Sequence, residues 1–320
     1  MSQLLASALP TLGRPSVAGQ GNYGVVHSSE HHGVPGVAGS APTVLAAAVA
    51  AATSAIRVGT GGVMLPNHQP LVVAEQFGVL ESLFPGRIDM GLGRSVGFTE
   101  GVRRALGHGK DAADDFAGQL SELLGYVEGT HPQVHARPPE GLRLPPFVLA
   151  TGEGAGVAAA AGVPLVIGDL RGRERLLRAV GRYRAEFRPS MWAREPYVVV
   201  AGTVAVAGSE DEARRLLVPE AWAMAYARTH GTFPPLAPAE RIEAREMTAK
   251  ERELYESGLR GQIHGTEEQV RDALETVIEE SGADEVLVTT STYDRAGLLD
   301  SYRRLARIAG LTSADVRPAA

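Results

Sequence analysis

Two histidines directly follow a glutamate, at Glu30, His31 and His32, where a short apolar stretch ends. An imidazole can accept or donate a proton near neutral pH, so this triplet is a candidate for proton transfer beside a bound molecule. Neighbouring side chains of an extended strand point to opposite faces, so both rings reach one pocket only if the chain bends. Two histidines bound to backbone carbonyls are the alternative. A metal site would need further ligands, and we expect none.

Three further groups could bind an anionic ligand or shape a turn. Asn67 and His68 stand between two prolines, where such residues more commonly form a turn. Arg94 follows two glycines that allow close approach to a ligand, and its guanidinium suits phosphate, although surface ion pairs are its commoner role. The glycine-rich stretch 151–156 joins a strand to a helix, and it could bind phosphate through free N–H groups or form a plain turn.

The stretch 56–97 must position several of these groups. It contains a β-branched strand over 56–65, an amphipathic helix over 70–84 and a second strand over 87–92. Such a βαβ unit gathers polar residues at the carboxyl ends of its strands, where α/β folds place their sites.

The remaining chain repeats this alternation of strands and helices. Further strands are predicted at 3–9, 24–29, 147–150, 163–167, 197–206 and 285–290. Ser209 and Thr266 each precede a Glu or Gln by three residues, which predicts the starts of two capped helices. Eight strands with intervening helices predict a (β/α)₈ TIM barrel, with a doubly wound open sheet as the competing architecture. We expect one barrel domain over 1–320, with an insertion at about 231–262 before the last strand.

Composition narrows the class of partner. The chain has 320 residues, a formal net charge of −6 and no cysteine. The negative charge makes nucleic acid and anionic membranes poor partners, and the missing thiols exclude disulfides and thiolate nucleophiles. We find no signal peptide and no membrane-spanning run, and therefore expect a cytoplasmic protein that acts on a small molecule.

Five stretches together resemble a known family: EHHGVPGVAGSAP, GTGGVMLPNHQPLVVAEQFGVLESLFPGRIDMGLGR, YRAEFRPS, EPYVVVAGTVAVA and GADEVLVTT. They are similar to the bacterial luciferase-like flavin monooxygenases, in particular to the single-chain group often found in actinobacterial biosynthetic clusters. The resemblance implies a TIM barrel that binds flavin mononucleotide (FMN) at its C-terminal mouth. It further implies that FMNH₂ from a separate reductase reacts with O₂ to a C4a-(hydro)peroxyflavin, which oxygenates the substrate.

The resemblance also implies residue roles. His31 corresponds to the base near the flavin, and Asn67-His68 to a non-prolyl cis peptide behind the flavin ring. Arg94, with Ser95 and Val96 beside it, is expected at the flavin phosphate. A second phosphate loop falls on Glu153 and Gly154.

Three departures from the family pattern put flavin affinity in question. The second strand carries His27 where the family usually has Trp, and Gly154 stands where a serine is usual. The first crossover helix, over 11–22, is too rich in Gly and Pro to be full length.

The resulting hypothesis is an FMNH₂- and O₂-dependent monooxygenase that hydroxylates or epoxidises an organic secondary metabolite, as in antibiotic biosynthesis. An F420-dependent oxidoreductase on the same barrel and a non-catalytic flavin-binding homologue are the alternatives. A homodimer and a mobile lid formed by 231–262 are further expectations.

Overall fold

The strands form a ring. The computed structural model describes residues 6–10, 25–168 and 170–311. Its strands are β1 (Ala6–Pro10), β2 (Val25–Ser28), β3 (Arg57–Thr60), β4 (Val63–Met64), β5 (Ile88–Gly93), β6 (Pro146–Ala150), β7 (Leu165–Ile167), β8 (Val198–Val206), β9 (Ile263–Gly265) and β10 (Glu285–Thr289). Pairing runs from β1 through β2, β3, β5, β6, β7 and β8 to β10, which pairs with β1 and closes the barrel.

The predicted TIM barrel is confirmed, with two differences in its strands. β1 pairs antiparallel with both β2 and β10, whereas the other ring strands pair in parallel. The predicted strand 56–65 is divided into β3 and β4 by a cis peptide bond between Gly61 and Gly62. The shortened crossover helix predicted over 11–22 lies outside the described residues.

Helices cover the outside of the ring: α1 (Pro42–Ala51), α2 (Pro70–Leu83), α3 (Glu100–Ala105), α4 (Phe116–Glu128), α5 (Gly154–Ala161), α6 (Arg173–Glu186), α7 (Glu210–His230), α8 (Ala239–Glu243), α9 (Ala249–Leu259), α10 (Glu267–Ser281) and α11 (Arg295–Ile308). Of the apolar stripe predicted for this helix, Val73, Phe77 and Leu80 are buried on α2, while Phe84 follows the last helical residue and is only partly buried. Ser209 and Thr266 cap α7 and α10 as predicted. Within the described ranges, no helix is long and apolar enough to span a bilayer.

The segment 231–262 packs against α7. It contains α8 and α9, and their Ile242, Tyr255 and Leu259 join Trp222 of α7 in one apolar cluster. The segment then continues into β9, which pairs with the end of β8 and was not predicted. These contacts fix one side of the segment to the barrel.

Charged side chains form a floor at the N-terminal end of the barrel interior. Arg57 Nη2 lies 2.5 Å from Asp89 Oδ1, and Tyr197 donates its hydroxyl to Glu285 Oε1 at 2.7 Å. Arg57 Nη1 lies 3.8 Å from the same Glu285 oxygen. Burial raises the pKa of Glu285. His27, which stands where the family usually has Trp, has its Nε2 3.7 Å from Asp89 Oδ2 and no hydrogen bond to either ring nitrogen.

Candidate active site

Glycines leave the C-terminal half of the barrel interior open. Side chains alternate along a strand, so the interior positions after Asp89 on β5 are Gly91, where a Cβ would overlap Thr60 O, and Gly93, which lines the open space. A cavity of about 870 Å³, here called the mouth cavity, lies at the C-terminal ends of β2 to β7. A Cβ on Gly168, which lines it, would meet no atom within 4 Å, and one on Gly93 would approach only Val63 O, at 3.9 Å. The missing side chains therefore make room for a ligand of cofactor size.

Glu30 is the polar centre of one wall. Its side chain is fully buried and accepts four hydrogen bonds: from Met64 N–H (2.8 Å), Asn67 Nδ2 (3.2 Å), and the Nε2 atoms of His32 (2.9 Å) and His68 (3.0 Å). Burial alone would raise the pKa of Glu30, but the hydrogen bonds from His68 and His32 hold it below the ordinary value. One carboxylate thus ties the segment after β2 to the segment after β4.

His31, which lies between the hydrogen-bonded residues Glu30 and His32 in the sequence, lines the mouth cavity. Its backbone N–H donates to Gly39 O at 3.1 Å, which fixes the loop that carries it. His31 is exposed on its cavity side, but the surrounding protein desolvates the ring and lowers its pKa, so the neutral imidazole, which can accept a proton, is the dominant form at neutral pH. His32 instead turns to Glu30, and the chain bends at Gly33, where φ is +67°.

Asn67 and His68 have a different role from the one predicted. The expected cis peptide between them is wrong: the non-prolyl cis bond is Gly61–Gly62, and both glycines line the mouth cavity. Asn67 ends a short 3₁₀ turn, and His68 N–H donates to Leu65 O at 2.9 Å. Their side chains bind Glu30, and neither residue lines the mouth cavity. Asn67 and His68 therefore hold the Glu30 side chain in place and do not themselves face the cavity.

The other predicted cofactor residues meet at one end of the mouth cavity, which Arg94, Ser95, Val96, Glu153 and Gly154 all line. Arg94 Nη1 lies 3.8 Å from Glu153 Oε2, and these side chains are 42% and 87% exposed, so this ion pair is weak. α5 begins at Gly154, which lines the same end, while the next two backbone N–H groups, of Ala155 and Gly156, donate to Gly152 O (3.0 Å) and Glu153 O (3.1 Å). A Cβ on Gly154 would already lie 2.9 Å from Ala150 Cβ, which explains why a larger residue is disfavoured there.

Arg103 and Lys110 also line the mouth cavity and were missed by the sequence analysis. They lie in a surface segment with charges of both signs, where nothing local distinguishes them. Arg103 Nη1 donates to Gly97 O at 3.1 Å and so holds the loop after Arg94. Among the residues that the structure describes, no group of three or more His, Asp or Glu is arranged to hold a metal ion.

The chain is similar to several known proteins. The chain is 35% identical over 288 residues to the Bacillus subtilis protein YvbT, covering 88% of this chain and 84% of that protein. It is 33% identical over 280 residues to a luciferase-like monooxygenase of Escherichia coli K12, covering 86% and 83%. The crystal structure of apo-MsnO8 is 29% identical and superposes with a TM-score of 0.77, covering 89% of this chain and 86% of that one.

More distant structures share the fold alone. They include the oxygenating constituent of 3,6-diketocamphane monooxygenase from Pseudomonas putida in complex with FMN (17% identity, TM-score 0.64, 89% and 88% covered). An F420-dependent secondary alcohol dehydrogenase is similar to the same degree (15% identity, TM-score 0.61, 88% of both chains covered). The family model for luciferase-like monooxygenases matches residues 18–285, which include the ring strands β2 to β8 and every site residue described above, so the chain belongs to the luciferase-like monooxygenase family.

Proposed function

We propose that this chain is a monooxygenase that uses FMNH₂ and O₂ to oxygenate an organic secondary metabolite. The proposal rests on the end of the mouth cavity that Arg94, Glu153 and Gly154 line, here called the phosphate end. There Arg94, only loosely paired with Glu153, stands with the start of α5 beside a glycine-lined space. This donor set suits a phosphate monoester attached to a flat ring system.

Each group in the cavity has a physical task in this proposal. Arg94 would bind the phosphate, and the Thr151 hydroxyl lines the same end, where Gly154 offers only its backbone. Gly93 and Gly168 leave the space that a ring system would occupy. When bound, reduced flavin would supply the two electrons and the activation of O₂. Neutral His31 can hold or accept a proton beside that ring, and Glu30 fixes the wall that carries it.

The second candidate is hydride transfer with F420 on the same barrel. Arg103 and Lys110 favour it, because they extend the positive charge beyond what one phosphate needs. Parallel titrations with FMN and F420, followed by intrinsic fluorescence, separate the two: our proposal requires FMN to bind more tightly. A third possibility is a non-catalytic homologue, for which His31→Ala would leave every turnover rate unchanged.

The central experiment compares FMN and riboflavin binding. We expect Arg94→Ala to weaken FMN binding by about 10- to 100-fold, because charge-assisted hydrogen bonds contribute about 1.5–3 kcal/mol. Riboflavin lacks the phosphate, so its affinity should not change. Arg104→Ala is the matched control, since Arg104 pairs with Glu100 on the surface and does not line the cavity. Equal loss of FMN and riboflavin, or no loss of either, would refute the phosphate assignment.

The proposal also includes partners and location. The open, half-exposed phosphate end suits diffusive transfer of FMNH₂ from a separate reductase. Exposed apolar side chains on α1 and α2, namely Val44, Val72, Val79 and Leu83, suit a homodimer interface. Sedimentation of wild type and of Val79→Lys tests the dimer, which the lysine should dissociate. We further propose a cytoplasmic location, which the cysteine-free chain suits.

A further inference from the structure

A second cavity, here called the apolar chamber, adjoins the mouth cavity. It has a volume of about 460 Å³ and lies between the loop after β2, the middle of α7 and the start of the 231–262 segment. Its walls are largely apolar, from Val34, Pro35, Val37, Met224, Phe233 and Leu236, and they also carry hydroxyl and imidazole groups, from Ser29, His31, His32, Ser95, Thr289, Thr290 and Ser291. This volume falls in the range of small-molecule sites, about 300–1,000 Å³.

The two cavities share a boundary. Six residues line both of them: Ser29, His31, Met64, Ser95, Gly97 and Phe98. A molecule in the apolar chamber therefore lies against the same imidazole that faces the mouth cavity. The Phe98 and Phe233 rings, 4.9 Å apart between centroids, join the loop after β5 to the 231–262 segment at this boundary.

The distribution of charge differs sharply between the cavities. Arg94, Arg103 and Lys110 line the mouth cavity, whereas no described Arg or Lys lines the apolar chamber. Its one acidic residue is Glu220. A carboxylate, phosphate or sulfonate entering the chamber would lose hydration and would meet hydroxyl and imidazole groups but no Arg or Lys, so its charge would be poorly compensated.

We propose that the apolar chamber is the substrate site and that it takes an uncharged, largely apolar organic molecule while rejecting anions. This inference rests on the proposed function. One atom of O₂ passes to the substrate and the other leaves as water, with two electrons and two protons taken from FMNH₂. The chamber would determine which molecules can bind next to the flavin. The 231–262 segment contributes to this selection because its Phe233 and Leu236 line the chamber.

A matched pair of probes tests the chemical class. Methyl phenyl sulfide is uncharged, and 4-(methylthio)benzoate carries the same thioether with one carboxylate. Titration calorimetry on the flavin-free protein should give an affinity for the sulfide at least tenfold higher than for the benzoate. Equal affinities, or tighter binding of the benzoate, would overturn the inference.

Variants of the wall give a second test. Leu236→Lys adds a cation to the chamber, so the ratio of the two affinities should shift at least tenfold toward the benzoate. Leu299→Lys is the control, because Leu299 is an exposed residue of α11 that does not line the chamber and should leave the ratio unchanged. Phe233→Ala removes wall surface without adding charge and should weaken binding of the sulfide about fivefold. Unchanged affinities in both Leu236→Lys and Phe233→Ala would contradict the assignment.

Turnover separates this inference from the proposed function. With FMNH₂ and O₂ supplied, the sulfide should yield its sulfoxide and the benzoate should not. Selective binding of the sulfide without any sulfoxide would retain the chamber and refute the monooxygenase. Equal sulfoxidation of both probes would support the monooxygenase and overturn the chamber's selectivity.

Discussion

Replacing Glu30 by glutamine tests the carboxylate that holds the wall of the mouth cavity together. The substitution keeps the shape but exchanges one acceptor oxygen for an NH₂ donor. Met64 N–H cannot change its role, so the amide oxygen should remain there and on His68, leaving the NH₂ group against His32 and Asn67. His32 can accept a hydrogen bond from this NH₂ group only after it changes its tautomer, and Asn67 only after its side-chain amide flips.

We expect Glu30→Gln to lower the free energy of unfolding by about 2–4 kcal/mol, since hydrogen bonds to a charged group contribute about 1.5–3 kcal/mol and two of them are lost or weakened. Urea denaturation measures this change directly. Glu81→Gln is the matched control. Glu81 is also buried, but its Oε1 accepts from Gly86 N–H at 2.7 Å while its Oε2 has no partner, so the amide should cost under about 1 kcal/mol.

The pH dependence provides an independent check on the same carboxylate. The pKa of Glu30 lies below its ordinary value of 4.5 in the folded state. Its contribution is therefore complete above pH 4.5 and is lost as pH falls through the lower folded value. The stability gap between wild type and Glu30→Gln should be constant at neutral pH and narrow in acid. A gap no larger than that of Glu81→Gln, or one that widens in acid, would refute the reasoning.

Three further predictions concern the cavity, the base and the floor. Gly93→Val should place a side chain in open space, weakening FMN binding at least tenfold while changing the free energy of unfolding in urea by less than about 1 kcal/mol. Desolvation by the surrounding protein lowers the pKa of His31, so the acid limb of kcat/KM should lie below pH 6.5 and disappear in His31→Asn; a limb above pH 6.5 would exclude His31 as the base. Arg57→Met leaves Asp89 buried without its partner and should cost about 3–5 kcal/mol in urea denaturation, most of which Arg57→Met with Asp89→Leu should recover.

Local patterns in the sequence predicted much of the fold. The apolar stripe of α2 and the caps of α7 and α10 depend on residues three or four positions apart, and the structure has all three. The break between β3 and β4 and the added β9 depend on backbone geometry and distant pairing, which no short window of sequence contains.

The same distinction applies to the predicted site residues, of which some line the mouth cavity and others do not. Arg94 and His31 stand at the carboxyl ends of strands, a position that the alternation of elements reveals. The family resemblance assigned Asn67 and His68 to the flavin as a cis peptide, whereas in the structure their side chains bind Glu30, more than 35 residues away along the chain. That contact exists only after the barrel closes, so it was invisible to a pattern-based argument.

The charged floor of the barrel bears on how the chain folds. Its members come from β2, β3 and β5 on one side of the ring and from β10 and the residue before β8 on the other. A fragment ending before β10 would retain Arg57 without Glu285 and bury Tyr197 without its acceptor. Each unpaired group is costly in a dry interior. Partial barrels are thereby penalised, and we expect the ring to form and unfold as one cooperative unit rather than as two stable halves.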